Sequence, residues 1–240
     1  MNLVITMAGN GQRFRDAGYN VPKYEIEVHG KTLFEWSMRS FEGMNFSKYI
    51  FIVKKSDNAH DFIVKELNKI GIKNNISIIE LDKPTLGQAQ TAMMANCIWN
   101  KDEPLLIYNI DTYVKEGVFA NLDWCGDGCI PCFNAPGDHW SFVKLDDFGQ
   151  VTEIREKKRI SDNCTLGAYY FGTAELYENL YHSYYENKNV ELDANEYYIA
   201  PLYNEMLNQI ADIRVPQVKY EDVNILGTPE EVKVFEAKVI

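Results

Sequence analysis

Three features of the chain combine residue types and spacings that suit chemistry on phosphate. The segment Met7-Ala8-Gly9-Asn10-Gly11-Gln12-Arg13-Phe14 directly follows the apolar run Leu3-Val4-Ile5-Thr6. Its glycines let the backbone turn sharply and approach a ligand, successive amide N–H groups form a concave anion site, and Arg13 adds a fork of donors matched to phosphate oxygens. The spacing is not that of a P-loop, since no Gly-Lys-Ser/Thr follows, nor of the dinucleotide fingerprint, since the third glycine is missing. On its own, a tight strand-to-helix turn without a ligand explains Gly-x-Gly equally well. Lys23 follows Pro22, whose fixed φ holds it more rigidly than an average surface lysine, although alone it reads as a solvated charge. Asp111 ends the run Pro104-Leu-Leu-Ile-Tyr-Asn-Ile-Asp111. Ligands of open parallel sheets bind beyond the carboxyl ends of strands, and a hard cation such as Mg²⁺ prefers one or two carboxylates plus phosphate oxygens. A turn or helix cap is the alternative there.

The elements that must position these residues alternate. Apolar runs at 3–6, 49–53, 76–81 and 104–111 read as buried strands, and Thr32–Phe41, Asp57–Ile70 and Gln88–Trp99 read as helices. Strands alternating with helices imply right-handed crossovers. The expected fold is therefore a three-layer α/β/α arrangement with a mostly parallel central sheet. After residue 118 the texture changes to short strands at 128–133, 141–145 and 166–171, with Asp146-Asp147-Phe148-Gly149 as a hairpin turn. Helices return at 175–185 and 197–210. We expect one domain over 1–240, with the parallel α/β part at 1–118 and a half at 119–240 that adds a small mixed subregion.

Composition narrows the partners. The 240 residues carry 35 Asp plus Glu against 24 Lys plus Arg, a formal charge of -11. Such a balance opposes binding along DNA or RNA, which relies on neutralising a track of phosphates. No apolar stretch reaches the roughly 20 residues that cross a bilayer. The N-terminus lacks a basic leader, and five cysteines do not suggest a disulfide framework. A cytoplasmic location is the simplest expectation.

The motifs Met7-Ala8-Gly9-x-Gly11-x-Arg13-Phe14, Pro22-Lys23, Glu27-Val28-x-Gly30-Lys31, the strand-ending Asp111, Glu156-Lys157 and Gly227-Thr228-Pro229-Glu230 occur in this order across nearly the whole chain. On these residues the sequence resembles the sugar-phosphate nucleotidylyltransferases. The resemblance implies a nucleotide-diphospho-sugar transferase-like fold, with a nucleotide-binding half at 1–118 and an acceptor-binding half at 119–240. It also implies a nucleoside triphosphate, Mg²⁺ (with Mn²⁺ as the alternative) and a small phosphorylated acceptor that attacks the α-phosphorus as pyrophosphate leaves. Nucleic acid and membrane are not expected partners, and a homo-oligomer would be built from further copies of the chain. By the same resemblance, Met7, Ala8, Gly9, Asn10, Gly11, Gln12 and Arg13 hold the triphosphate, and Arg13 and Lys23 stabilise charge on the reacting phosphates. Asp111 holds the metal, and Glu156 and Lys157 face the acceptor. Two departures stand out. The family's Pro-Lys-Pro-Leu is Pro22-Lys23-Tyr24-Glu25 here, and its second metal-binding aspartate falls on Ile225, with Asn224 and Asp222 nearby. Asn224 is favoured as the second ligand, since an amide oxygen can bind a hard cation, with Asp222 the other choice.

Thr85-Leu86-Gly87-Gln88-Ala89 matches the family segment that contacts the nucleobase, with Gly87 expected to let the main chain reach the base edge. Asp82, just upstream, could accept a hydrogen bond from the exocyclic amine of cytosine, which points to CTP. His139 and Trp140 could line an acceptor pocket, and Glu196 could meet a polar acceptor or serve as a cap. The motif flavour resembles a branch found with capsule and surface-polysaccharide genes, in which the acceptor can be a non-sugar phosphate such as phosphoglutamine. Three rival readings compete. Cys125, Cys129 and Cys132 have a spacing used for iron–sulfur clusters. A glycosyltransferase of similar fold would carry Asp-x-Asp where this chain has Asn109-Ile110-Asp111. A non-catalytic nucleotide sensor would keep the fold without turnover.

Overall fold

The continuous aliphatic runs pair side by side in the core, as two-face burial requires of parallel strands. The computed structural model describes residues 1–187, 196–209 and 211–238. Among these, seven strands form the central sheet in the order Ile213–Arg214, Gly128–Cys129, Ala168–Phe171, Leu105–Asn109, Asn2–Thr6, Lys48–Lys54 and Ile76–Leu81. Ala168–Phe171 is antiparallel to both its neighbours, and the other pairings are parallel. Thr6 lies opposite both Ile52 and Asn109, so neighbouring strands end together at one edge.

Alternation along the strands makes the layers. Val4, Ile50, Ile52, Leu105 and Ile107 pack against the helices Gln88–Met93, Ala174–Tyr181 and Leu202–Leu207. Leu3, Ile5, Phe51, Val53, Leu106 and Tyr108 face the helices Leu33–Arg39 and His60–Lys69 on the other side. The expected three-layer α/β fold is the one observed. A four-stranded sheet, ordered Val151–Glu156, Ser141–Leu145, Cys164–Thr165 and Cys132–Phe133, lies beside it. The hairpin at 146–149 forms as expected, with Asp146 Oδ1 accepting from the Phe148 and Gln150 amides at 2.9 and 2.8 Å.

Several boundaries differ from the sequence reading, each for a tertiary reason. The run 128–133 is two strands, because Pro131 cannot donate to a ladder and the chain passes there from the large sheet to the small one. The helix expected from Tyr197 begins at Leu202 behind Pro201. Tyr197 is held instead by backbone bonds, its N–H to Leu86 O at 2.9 Å and its carbonyl to the Ala89 N–H at 2.8 Å. The end of that expected helix, residue 210, lies outside the described residues. The helix from Gln88 stops at Met93 and continues as tight turns to Trp99. Among the described residues, no helix is long and apolar enough to cross a membrane.

One surface carboxylate fastens the start of the central strand. Glu103 accepts from the Met1 ammonium at 3.1 Å, from Asn100 at 2.9 Å and from the Ser47 hydroxyl. The Ser47 and Asn100 bonds, then the ammonium, hold its carboxyl down to about 2 from the usual 4.5. A depressed carboxylate stabilises the fold above its ordinary pKa and loses that contribution as pH falls through the folded value. Glu103→Gln should therefore melt below the wild type at pH 7, with the gap closing between pH 4.5 and about 2; thermal melts across that range check it.

Candidate active site

The site is built at the shared edge where the parallel strands end. The strand Leu105–Asn109 runs into a turn whose consecutive carbonyls are each tied down. Ser37 Oγ donates to Ile110 O at 2.7 Å, the Leu226 N–H to Asp111 O at 2.8 Å, and the buried Tyr108 hydroxyl to Thr112 O at 2.8 Å. Burial pushes the Tyr108 hydroxyl pKa up, so it remains a donor. This leaves the Asp111 side chain projecting from a fixed backbone into a cleft, where the Lys23 ammonium meets Oδ2 at 2.7 Å. Lys23 is placed from below by Tyr24, whose buried hydroxyl donates to Asp57 Oδ2 at 3.0 Å and whose ring packs on Phe62. The departure from Pro-Leu after Lys23 thus supplies an anchor.

Two cavities meet at Asp111. One, of about 410 Å³, is lined by Met7 to Asn10, Lys23, Pro84 to Gln88, Thr91 and Glu196. The other, of about 210 Å³, is lined by Arg13, His139, Trp140, Ser141, Glu156, Thr165, Tyr169 and Tyr198, with Ile225, Gly227 and Glu231. Gln88, Asn109 and Asp111 form the wall they share. Gln88 Nε2 bridges the strand ends, donating to Thr6 Oγ1 at 3.1 Å and to Asn109 Oδ1. Gly11, at φ 60, turns the chain from the first cavity toward Arg13 in the second. Gln12 is turned outward, its amide on Asp16 at 2.6 Å.

The second cavity has a polar floor. Glu156, buried, accepts from the Ser141 hydroxyl, and Ser141 and Thr165 each lie 3.2 Å from the Tyr169 hydroxyl. Lys157 takes a left-handed backbone at φ 53, its N–H donating to Trp140 O at 2.8 Å. Its ammonium donates to the Tyr198 hydroxyl and sits 4.6 Å from that ring's centroid. Burial first, then the Glu196 carboxylate, raises the Tyr198 hydroxyl pKa. Trp140 meets the His139 ring in a tilted contact with centroids 4.1 Å apart, and its indole N–H is spent on Pro136 O at 3.0 Å.

Several expectations need correction, beginning with the stretch expected to hold the triphosphate: Gln12 faces outward, and Arg13 lines the second cavity and not the first. Asp82 is outside the first cavity and pairs with Lys55 at 2.9 Å, an exposed contact that cannot read a base. Gly87 (φ 152) lines the first cavity and also makes room for protein: a Cβ there would lie 2.5 Å from Tyr197 N and 2.6 Å from its carbonyl oxygen. Glu196 lines the first cavity, not the second one that holds His139, Trp140 and Glu156. Asn224 does not share a wall with Asp111. It pairs with Tyr113 across a two-stranded ladder and its Oδ1 accepts from Lys238 at 2.5 Å, while Asp222 faces Lys115. Strand alternation turns Ile225, not Asn224, toward the cavity. The residues that sequence reading passed over are Asn109, Ser141, Thr165, Tyr169, Tyr198 and Glu231. Tyr198 sat beside a flagged glutamate, and Glu231 three positions after a Thr N-cap.

The cysteine spacing has a packing explanation. Cys129 and Cys132 are buried on strands of different sheets, burial raises both thiols (Cys129 to about 12), and all five cysteines are free. Among the described residues no three His, Cys, Asp or Glu side chains converge as metal ligands.

The chain is similar along its length to the crystal structure of a nucleoside-diphosphate-sugar pyrophosphorylase from Vibrio cholerae RC9, with 35% identity, 98% of this chain and 100% of that chain covered, and a TM-score of 0.90. It belongs to the sugar-phosphate nucleotidyltransferase family. The inositol-1-phosphate CTP transferase from T. maritima (16% identity, 98% and 93% covered, TM-score 0.76) shares the fold. So does a structure described as a glucose-1-phosphate thymidylyltransferase from Bacillus anthracis (14% identity, 100% and 96% covered, TM-score 0.75). No protein-family model and no curated protein matches the chain.

The Gly87–Tyr197 contact holds the segment bearing Glu196 and Tyr198 against the wall shared by the two cavities. Gly87→Ala should cost about 1–3 kcal/mol by overpacking against backbone. It should also displace both Glu196 and Tyr198, measured as a lower melting temperature together with weaker nucleotide binding.

Proposed function

We propose that the chain transfers a nucleoside monophosphate from a nucleoside triphosphate to a small phosphorylated acceptor and releases pyrophosphate. The observation that carries this reading is the common wall: a larger and a smaller cavity separated only by Gln88, Asn109 and Asp111, with Lys23 at the seam. Its size suits a nucleotide on one side and a compact phosphate ester on the other, either a sugar phosphate or a non-sugar phosphate. The two halves of the chain divide along this wall, the first carrying most of the donor cavity and the second most of the acceptor cavity.

In this reading the backbone of Met7 to Asn10 cradles the triphosphate, and the α-phosphorus lies at the seam. An oxygen of the acceptor phosphate, already anionic, forms the new P–O bond in line as the bond to the β-phosphate oxygen breaks; no base is required. Lys23 exchanges Asp111 for the phosphate oxygens on which charge gathers, and Arg13 and Lys157 hold the acceptor from the other side. Asp111, a carboxylate on a pinned backbone beside a phosphate site, suits a hard cation such as Mg²⁺ or Mn²⁺. That cation would neutralise phosphate charge when bound.

We further propose CTP as the donor. With Asp82 outside the cavity, Glu196 is the carboxylate at its Thr85–Gly87 end, and it can accept from the exocyclic amine of cytosine where uracil and thymine present a carbonyl. We also propose, from the motif resemblance, that the reaction runs in the cytoplasm on a route that supplies activated head groups to surface polysaccharide.

The test is pyrophosphate release from CTP, UTP, dTTP, ATP and GTP with Mg²⁺ and a panel of acceptor phosphates. Release with CTP above the others is expected; nucleotide binding with no release from any pair would instead make the chain a sensor. Lys23→Ala should lower kcat by about 10²–10³ with little change in melting temperature. Glu196→Gln should narrow the CTP-to-UTP ratio of kcat/KM at least about tenfold.

A further inference from the structure

The family's second metal aspartate is Ile225 here, and neither Asn224 nor Asp222 replaces it, so the question is which group does. One buried side-chain oxygen in the described residues has no hydrogen-bond partner: Oε2 of Glu231. Buried carboxylate oxygens without donors are rare and costly, and each calls for an occupant. Glu231 stands at the third position of the helix Pro229–Glu236, fixed there because Thr228 caps the helix through the Glu231 N–H at 3.2 Å. A capping box would return this carboxylate to the Thr228 N–H. Here the side chain turns toward the acceptor cavity, which it lines together with Asp111 and Gly227. Both acids border the space in front of Gly227: a Cβ on that glycine would lie 3.4 Å from Asp111 Oδ2 and 3.5 Å from Glu231 Oε2.

We infer that Glu231 is the second carboxylate ligand of the catalytic divalent cation, sharing it with Asp111 and taking the place that Ile225 leaves empty. The inference deepens the nucleotidyltransferase reading and rests on it. Two carboxylates with phosphate oxygens completing the shell is the donor set Mg²⁺ favours. The missing side chain at Gly227 keeps the space between them clear. The role also accounts for a buried carboxylate oxygen that accepts from no protein donor.

The experiment is Mn²⁺ binding to the whole chain, followed by loss of the free-ion electron paramagnetic resonance signal, with and without CTP and with no acceptor present. Glu231→Gln and Asp111→Asn should each weaken Mn²⁺ at least tenfold, Asn224→Ala should bind like wild type, and the metal-induced rise in melting temperature should vanish in Glu231→Gln. Thermal melts without metal verify that each variant folds; if Glu231→Gln does not fold, Glu231→Ala is read in its place. Wild-type affinity in the Glu231 variant overturns the inference, as does wild-type protein that binds Mn²⁺ no better than the Asp111→Asn, Glu231→Gln double variant in either condition. Because binding is read without turnover, a failed pyrophosphate assay would count against the nucleotidyltransferase reading separately.

Discussion

Three adjacent carbonyls, those of Ile110, Asp111 and Thr112, are bonded to three separate parts of the chain: Ser37 on a helix, Leu226 in the turn before the last helix, and Tyr108 in the strand itself. The turn beyond a parallel strand would otherwise be among the looser parts of the molecule, since its backbone has left the ladder. Here it is as constrained as the sheet. Gln88 extends the constraint sideways by bridging Thr6 and Asn109, the ends of the two central strands. The donor loop, the lysine and both cavities take their positions from this point.

The Lys23–Asp111 pair is the electrostatic counterpart. An acidic chain must receive a highly charged triphosphate, and its own cations must not be irrevocably committed elsewhere. Both partners are partly exposed, at 18% and 28%, so the pair is a modest one and can be exchanged for phosphate oxygens at low cost. The two charges neutralise each other across the pair. In the proposed reaction, incoming phosphates would draw the lysine away and leave the aspartate for a cation. Net charge therefore says little about this site, which depends on a few groups converging.

Much of this was legible in the sequence. Crossover handedness puts residues that follow strands at one edge, so Met7 to Asn10 and Asp111 were placed correctly by topology alone. What could not be read is which way a side chain turns once its segment is placed. Asp82 was in the right neighbourhood, yet the exposed Lys55 took it outward. Asn224 was one residue from the expected position, and in a strand one residue is the other face. Tyr197 and Tyr198 fall in a stretch read as helix, but the backbone bonds of Tyr197 to Leu86 and Ala89 hold the chain there, and the helix begins only after Pro201. Glu231 carried a visible signal, a Thr-x-x-Glu cap, whose ordinary meaning hid its departure: the carboxylate does not return to the cap.

That same Glu196–Tyr198 segment ties the two sides of the site together. Glu196 lines the donor cavity, Tyr198 lines the acceptor cavity, and Tyr197 between them is bonded at both its N–H and its carbonyl to the segment that carries Gly87 and Gln88. The Tyr198 hydroxyl touches Glu196 on one side and Lys157 on the other. With Tyr197 pinned, the link between the two walls runs through these side chains, the Tyr198 hydroxyl joining the Glu196 carboxylate to the Lys157 ammonium. Ordered use of the two cavities would then need no hinge between domains. It would follow from one short stretch of chain forming part of both walls, with a glycine opposite it because nothing larger leaves room.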